Sequence, residues 1–349
     1  MTIAVDGMGG DRAPDVVVDG AVAAVRELGV SVLLTGRRSE LEPLLAARGG
    51  TDRIGVVDAA ATIAMDEHPA SAVRQKRDSS LVVGVGLVGE GRARAFVSAG
   101  NTGAVMAAGL FELKRVRGVE RPALATVIPT LRGAALLVDV GANADCRPEH
   151  LAQFALMGSV YLERVFGVSR PRVGLISIGE EASKGNLLVQ QTYPRLRELP
   201  INFVGNIEGK DFPAGEVDVA VCDGFVGNVM LKLAEGLATA ITGMIRQEIE
   251  ASLLTKVAAL GVLPAFRRVR RRLDYAEYGG APLLGLNGIC IVAHGRSDAR
   301  AIKNAIRVAA QAVEQDVVRH IAEGIASSLD TAAVDRPGST PASPGASQT

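Results

Sequence analysis

The 349-residue chain has no tryptophan, and Phe, Trp and Tyr together make up only 3% of it. Its core must therefore be built mainly from Ala, Val, Leu and Ile. It has no net charge, with 38 Lys+Arg against 38 Asp+Glu. A hydrophobic content of 48% with 22% charged residues excludes a wholly disordered chain. Cysteine is scarce. Cys146, Cys222 and Cys290 are far apart, lack zinc or redox spacing, and are an odd number for a disulfide framework, so a reduced, intracellular setting is expected. His68, His150, His294 and His320 are scattered without metal-ligand spacing, and there is no Gly-x-Ser-x-Gly elbow. Cys222 ends an apolar run and reads as a buried small hydrophobe rather than half of a Cys222–His294 pair. No apolar run approaches the 18 or so residues of a spanning helix. The start, Met-Thr-Ile-Ala-Val-Asp, lacks the basic-then-apolar pattern of a signal peptide. These absences suggest a protein that is soluble, or at most membrane-associated.

What is present is glycine, 40 residues of it, in clusters between apolar runs. Short β-branched runs at Thr2–Val5, Val30–Thr35, Ile54–Val57, Ala95–Ser98, Ala135–Val138, Arg172–Ile176, Ile201–Val204, Val217–Val221 and Ile289–Val292 read as strands. Several are continuously apolar, as in strands covered on both faces. Between them, Pro14–Leu28, Thr102–Arg115, Pro148–Phe166, Gly227–Ala251 and Asp298–Ala322 read as helices. The alternation predicts an α/β fold, a mostly parallel sheet between two layers of helices. Ligands of such folds sit at the carboxyl ends of the strands.

The strand-end loops share one layout, with glycines and small polar residues opening a helix. Asp6-Gly7-Met8-Gly9-Gly10-Asp11 lets backbone N–H groups approach an anion, although its two aspartates also suit orienting the loop's own amides. Ser98-Ala99-Gly100-Asn101-Thr102-Gly103 combines hydroxyls with a helix cap at Asn101. Asp139-Val140-Gly141-Ala142-Asn143 is a third such loop. Gly179-Glu180-Glu181-Ala182-Ser183-Lys184-Gly185-Asn186 adds a lysine, a point charge for phosphate or an oxyanion. In Asp223-Gly224-Phe225-Val226-Gly227-Asn228, the asparagine is either an N-cap or a donor to a reacting carbonyl oxygen. Gly84-Val85-Gly86-Leu87-Val88-Gly89 matches the dinucleotide fingerprint by letter. It leaves no room for the required helix before the next strand, and reads as a helix itself.

Two segments break the pattern. Ser252–Leu273 carries Lys256, Arg267, Arg268, Arg270, Arg271 and Arg272 and no acid, a charge of +6. Phe266, Val269 and Leu273 lie on one helical face, and Leu253, Leu254, Val257, Leu260 and Leu263 form a second apolar group. Gly261 and Pro264 predict two helices meeting at a bend. The segment is either a solvated protrusion or dimer contact, a surface for anionic lipid, or a docking site for an acidic protein. Nothing in it suits nucleic acid. Residues 327–349, rich in Ser, Pro and Gly, are expected to be a disordered tail on a single α/β domain spanning 1–326.

Read in order, these loops resemble those of the bacterial phosphate acyltransferases, over Thr2 to about Glu323. The closest stretches are Asp6–Pro14, Ser98–Ala104, Asp139–Asn143, Gly179–Asn186, Phe203–Asp211, Cys222–Asn228 and Gly279–Asn304. Gly7, Arg12 and Ser177 depart from the usual Ala, His and Asn. The resemblance implies transfer of a fatty acyl group from acyl carrier protein to inorganic phosphate, at the start of phospholipid synthesis. It implies a cytoplasmic homodimer with no cofactor and no metal, a fold similar to isocitrate dehydrogenase and phosphotransacetylase, and peripheral contact with anionic membrane. It also implies catalytic roles for Lys184 and Asn228. The phosphate or substrate contacts expected are Asp6, Gly9, Gly10, Ser98, Asn101, Thr102, Gly103, Asn143, Gly185 and Asn186. The membrane or carrier contacts expected are Leu254, Lys256, Leu260, Leu263, Arg267, Arg268, Arg270 and Arg271. A phosphotransacetylase-type enzyme using acyl-coenzyme A, and a non-catalytic membrane scaffold, are the alternatives.

Overall fold

A computed structural model describes residues 1–50, 52–273 and 277–334. The chain opens with β1 (Thr2–Asp6), α1 (Asp15–Leu28), β2 (Ser31–Gly36), α2 (Arg38–Ala47) and β3 (Ile54–Asp58). It continues with α3 (Pro69–Gln75), α4 (Ser80–Gly89), β4 (Ala95–Ser98) and α5 (Thr102–Ala108), which runs on as a π-turn over Gly109–Leu113. The middle holds β5 (Ala123–Thr130), β6 (Gly133–Val138), α6 (Pro148–Phe166), β7 (Arg172–Ile176), α7 (Leu187–Glu198) and β8 (Asn202–Ile207). Then come α8 (Asp211–Ala214), β9 (Val219–Val221), α9 (Gly224–Glu250), α10 (Leu253–Leu273), β10 (Ala281–Leu284), β11 (Ile289–Val292), α11 (Ala299–Glu314) and α12 (Val317–Val334).

All the strands join one sheet in the order β3-β2-β1-β4-β11-β10-β5-β6-β9-β7-β8. One face packs Ala4, Phe96, Leu137 and Ala220 against α4, α5 and α8. The other face has two cores. Ile3, Val5 and Val97 meet α1, α2 and α11, while Leu136, Val173 and Val219 meet α6, α7 and α12. This is the expected α/β sandwich. Where α1 crosses α11, Gly20 allows the contact, since a β-carbon there would stand 2.6 Å from Ile302 Cβ.

The sheet is less uniform than the sequence pattern predicts. β10 pairs antiparallel with both β11 and β5, and β5 pairs antiparallel with β6. The parallel group β6, β9, β7 and β8 therefore runs opposite to β1, β2, β3, β4 and β11. The sequence reading missed β5 and β10. Other elements differ at their ends. The long C-terminal helix breaks at Asp316, which has φ 49°, into α11 and α12. Helix α12 runs past Ser327 to Val334, so the expected tail begins inside a helix, and residues 335–349 lie outside the described residues.

Within the Ser252–Leu273 segment, Leu253–Leu273 is one helix rather than two. Pro264 removes a single rung of the ladder, and its Ala and Leu neighbours are good helix formers. Helix α9 has an 18-residue window of mean hydropathy 1.2, so by length and composition it is apolar enough to cross a membrane. Scattered polar residues hid this from a search for unbroken runs. Its Phe225, Val229, Leu233, Leu237 and Ile241 are exposed, as are Leu254, Leu260 and Leu263 on α10.

Candidate active site

Adjacent parallel strands whose following helices pass to opposite faces flank a crevice, the usual place for a ligand in α/β sheets. Several strand pairs meet this description, and two of them, one in each half of the sheet, carry the candidate residues. Helix α1 packs on the face of Ile3 and Val5, whereas Ala104 and Val105 of α5, which follows β4, pack on the face of Ala4 and Phe96. Val226, Met230 and Leu231 of α9, which follows β9, pack with Leu137 and Ala220. Leu188, Val189 and Tyr193 of α7, which follows β7, pack with Val173 and Leu175 on the other face. Because the halves run in opposite directions, the two sets of carboxyl ends lie at opposite edges of the sheet.

At the first crevice, the buried Asp6 ends β1. Its Oδ1 accepts from Met8 N at 3.1 Å and its Oδ2 from Ser98 Oγ at 2.8 Å, tying β1 to β4. Burial pushes its carboxyl above the usual range, and these donors pull the other way. Ser98 Oγ in turn accepts from Gly100 N at 3.0 Å. A β-carbon on Gly9 would stand 2.5 Å from Asp6 Oδ2, so only glycine fits. Gly10, at φ +106°, turns the chain so that Asp11 N reaches Gly295 O at 2.8 Å. Asn101 Oδ1 caps α5 by accepting from Ala104 N at 3.0 Å. Its Nδ2 holds the carbonyls of Ala64, Met65 and Glu67. Gly103 packs under Pro69, and only Thr102 of this group is exposed. The loop that was expected to hold phosphate here thus encloses a carboxylate of its own.

The second crevice repeats the device. The buried Asp139 ends β6. Its Oδ1 accepts from Leu124 N, Gly141 N and Ala142 N at 3.1, 3.2 and 3.0 Å. Its Oδ2 accepts from Asn143 N and Nδ2 at 2.7 and 2.8 Å. Burial again pushes the carboxyl up against the pull of these donors. Asn143 Nδ2 also donates to Pro122 O, and Asn143 O accepts from Gly224 N, fixing the start of α9. Gly227 is obligatory there, since a β-carbon would meet Asp139 O at 1.9 Å.

The open polar groups stand around this frame. Asp223, not Asn228, caps α9 by accepting from Val226 N at 2.9 Å. Asn228 is exposed one turn along, beside Gly141, and its amide has no hydrogen-bond partner among the described residues. From the neighbouring strand β7, the loop carries Lys184, exposed and without an ion pair among the described residues. Its backbone N–H donates to Glu181 O at 2.9 Å, and its stem lies against Gly179. Gly185, at φ +100°, turns the chain into α7, which Asn186 caps by accepting from Val189 N at 3.0 Å.

Lys184 and Asn228 therefore stand at adjacent strand ends, whereas Asp6, Ser98, Asn101 and Thr102 belong to the other crevice. Asn101, Asn143 and Asn186, expected as anion contacts, make framing contacts within the protein. Cys222 is buried, with Sγ 3.7 Å from Asp139 O, and burial raises its thiol well above the ordinary value. Cys222 and His294 follow strands of opposite halves. Asp139, in sequence only the first residue of a third glycine loop, is the organising residue of this crevice. The signal for it was an aspartate closing an apolar strand ahead of a glycine, at Asp6 and again at Asp139. Of the basic segment, Leu254, Lys256, Leu260, Leu263 and Arg268 are exposed; the side chains of Arg267, Arg270 and Arg271 lie outside the described residues.

A profile of the fatty acid synthesis protein family matches residues 1–320. The chain is 54% identical over 327 residues to a phosphate acyltransferase of Heliobacterium modesticaldum, covering 93% of this chain and 98% of that one. It is 51% identical over 325 residues to one from Geobacter sulfurreducens, covering 93% and 94%. The chain belongs to the phosphate acyltransferase family. Among solved structures, a phosphotransacetylase of Streptococcus pyogenes shares the fold, with TM-score 0.64 at 18% identity over 90% of this chain and 94% of that one. The EutD phosphotransacetylase of Staphylococcus aureus does so with TM-score 0.60 at 16% identity, covering 90% and 94%. An acyltransferase of this family needs an electrophile held beside a nucleophile and donors for the oxyanion. An open lysine and an open amide on a rigid strand-end frame can supply the donors.

Proposed function

We propose that this acyltransferase moves a fatty acyl group from acyl carrier protein to inorganic phosphate, giving acyl phosphate for phospholipid synthesis. The observation that carries this reading is the placement of Lys184 and Asn228, whose side chains have no hydrogen-bond or ion-pair partner among the described residues, at adjacent ends of β7 and β9, in a member of the phosphate acyltransferase family. A phosphate oxygen attacks the thioester carbonyl. Asn228 Nδ2 donates to the oxyanion of the tetrahedral intermediate, and Lys184 neutralises charge on phosphate or oxyanion. Collapse breaks the C–S bond, and the departing thiolate takes a proton from water. Phosphate is already anionic near neutral pH and the thiolate is a fair leaving group, so no strong general base is required. Juxtaposition contributes roughly 7–11 kcal/mol and an oxyanion donor about 3–4 kcal/mol. Gly185 and the first amides of α7 lie beside Lys184 and form the phosphate cradle in this reading. Asp139 holds the opposite wall.

The protein acts in the cytoplasm as a homodimer. The α9–α10 projection contacts anionic membrane through Leu254, Leu260 and Leu263 and the basic residues of α10, and the same charge receives the acidic carrier protein. The test is a direct assay. Purified protein, long-chain acyl carrier protein and phosphate are mixed, the free carrier thiol is followed, and acyl phosphate is trapped with hydroxylamine. Phosphate-dependent appearance of both products is expected. Thiol release without acyl phosphate would make the protein a thioesterase. Turnover of acyl-coenzyme A alone would make it a phosphotransacetylase-type enzyme.

A further inference from the structure

Strand β8 contains an irregularity that serves one residue. Its pairing with β7 is in register at Val173 and Phe203, and slips by one so that Gly174 faces Gly205. Val204 is the extra residue, half exposed, and Gly205 takes φ +113°. A one-residue slip turns every later side chain to the other face. The packing records this. Phe203 lies against the core shared with α6 and α7, yet Ile207, an even number of residues on, lies in the core on the opposite face. In a regular strand, Asn206 would point to that opposite face. With the bulge it pairs with Leu175, on the α7 side, beneath the loop that carries Lys184. Bulges that aim a side chain are a recurrent device beside active sites.

The aim has a target. Asn206 is buried, with 5% of its surface exposed, and its Nδ2 donates to Glu181 O at 2.9 Å. That same carbonyl accepts from Lys184 N at 2.9 Å. One carbonyl thus joins the floor of the sheet to the backbone of the lysine. The loop has few other anchors: Gly179 is covered by the Lys184 stem, and Gln190 Nε2 holds the Ser183 and Gly185 carbonyls from α7.

We propose that Asn206 is a positioning residue for the acyl-transfer site, holding the Glu181 carbonyl so that the 181–185 turn presents the Lys184 ammonium to the reacting groups. This rests on the catalytic reading of Lys184. Without Asn206 the turn loses its tie to β8, and the ammonium samples positions away from the developing charge.

The test is a double-mutant cycle with an independent structural readout. Asn206→Ala is expected to lower kcat about tenfold, the effect of one lost hydrogen bond on placement, while KM for phosphate changes by less than about twofold. In a Lys184→Ala background, the same substitution is expected to cost nothing further. Hydrogen exchange of the amides of 181–185 should quicken, while that of 141–143 stays unchanged. Asn206→Leu, which keeps the shape and loses the donor without adding a charge, should reproduce both effects and covers the case in which the alanine variant fails to fold. Full additivity with Lys184→Ala, or unchanged exchange at 181–185, would overturn the proposal. If Lys184→Ala alone keeps near-normal turnover, the catalytic reading of Lys184 fails. The exchange data then report separately whether Asn206 holds the turn.

Discussion

Gly141 and Asn228 face each other across the second crevice. A β-carbon on Gly141 would stand 3.7 Å from both the Cβ and the Oδ1 of Asn228. Gly141 also adopts φ +131°, a region that side-chain-bearing residues rarely enter. The β-carbon itself fits at contact distance, so it is the backbone strain by which Gly141→Ala should destabilise the protein, by about 1–3 kcal/mol, and the shift that relieves it moves the neighbouring Asn228 amide. A lowered urea midpoint together with a kcat loss larger than the stability change explains is the expected result. Normal turnover in the folded variant would remove Asn228 from the oxyanion.

Lys184→Ala and Asn228→Ala should each lower turnover by about a hundredfold or more. Both side chains are exposed and make no side-chain hydrogen bonds among the described residues, so melting temperatures should stay within a degree or two of wild type. Comparison of kcat with the thermal melt separates this from a folding defect.

Asp139→Ala should behave in the opposite way. It leaves the N–H groups of Leu124, Gly141, Ala142 and Asn143 without their acceptor. A loss of at least about 3 kcal/mol is expected in chemical denaturation. Asp139→Asn should recover only part of it, because an amide offers one acceptor oxygen where the carboxylate offers two.

Acid sensitivity should trace in part to His150. Burial lowers its imidazole below the ordinary value, as does neighbouring Arg147, while Glu120, 3.3 Å from Nε2, opposes the shift. A depressed folded-state value means that the unfolded chain binds the proton more readily. The stability contributed by the neutral ring is present above about pH 6.5 and is lost as pH falls through the lower folded value. His150→Gln should flatten the decline of the urea midpoint between pH 7 and pH 5. An unchanged slope would assign the acid sensitivity to other groups.

On the projecting helices, replacing Leu254, Leu260 and Leu263 together with serine should weaken flotation with anionic vesicles at least about tenfold and leave solution turnover intact. Vesicle binding that persists would reduce the contact to one of charge alone.

The sequence carried the strand-end loops and their order because each is a local signal: an apolar run, a glycine, a polar helix start. It also carried Lys184 and Asn228 as candidates. What it could not carry was the direction of the sheet. β10 is four residues long and contains Pro282, and β5 has Pro129 inside it, which reads against a strand. Without those two strands nothing signals that the second parallel group runs backwards. The same limit applies to Asn101, Asn143 and Asn186. An asparagine in a strand-end loop reads alike whether it meets an outside anion or the backbone of its own loop. Asn206 was hidden for a further reason, since its partner Glu181 lies in another segment, and Asp139 likewise draws in Leu124 from the neighbouring strand. The face that Asn206 occupies depends on a bulge that letter patterns do not reveal.

The two halves of the sheet meet through β10 alone, by two residue pairs on each side: Ala281 and Pro282 with Val292 and Ile291, then Leu283 and Leu284 with Leu124 and Ala123. Pro282 has no N–H to add. In mechanical terms this is the thinnest cross-section of an otherwise stiff plate. Torsion of one half against the other concentrates there. Under tension applied across the sheet, the backbone ladder parts at β10 first, and the packing of α11 and α12 on α6 is what then holds the two halves together.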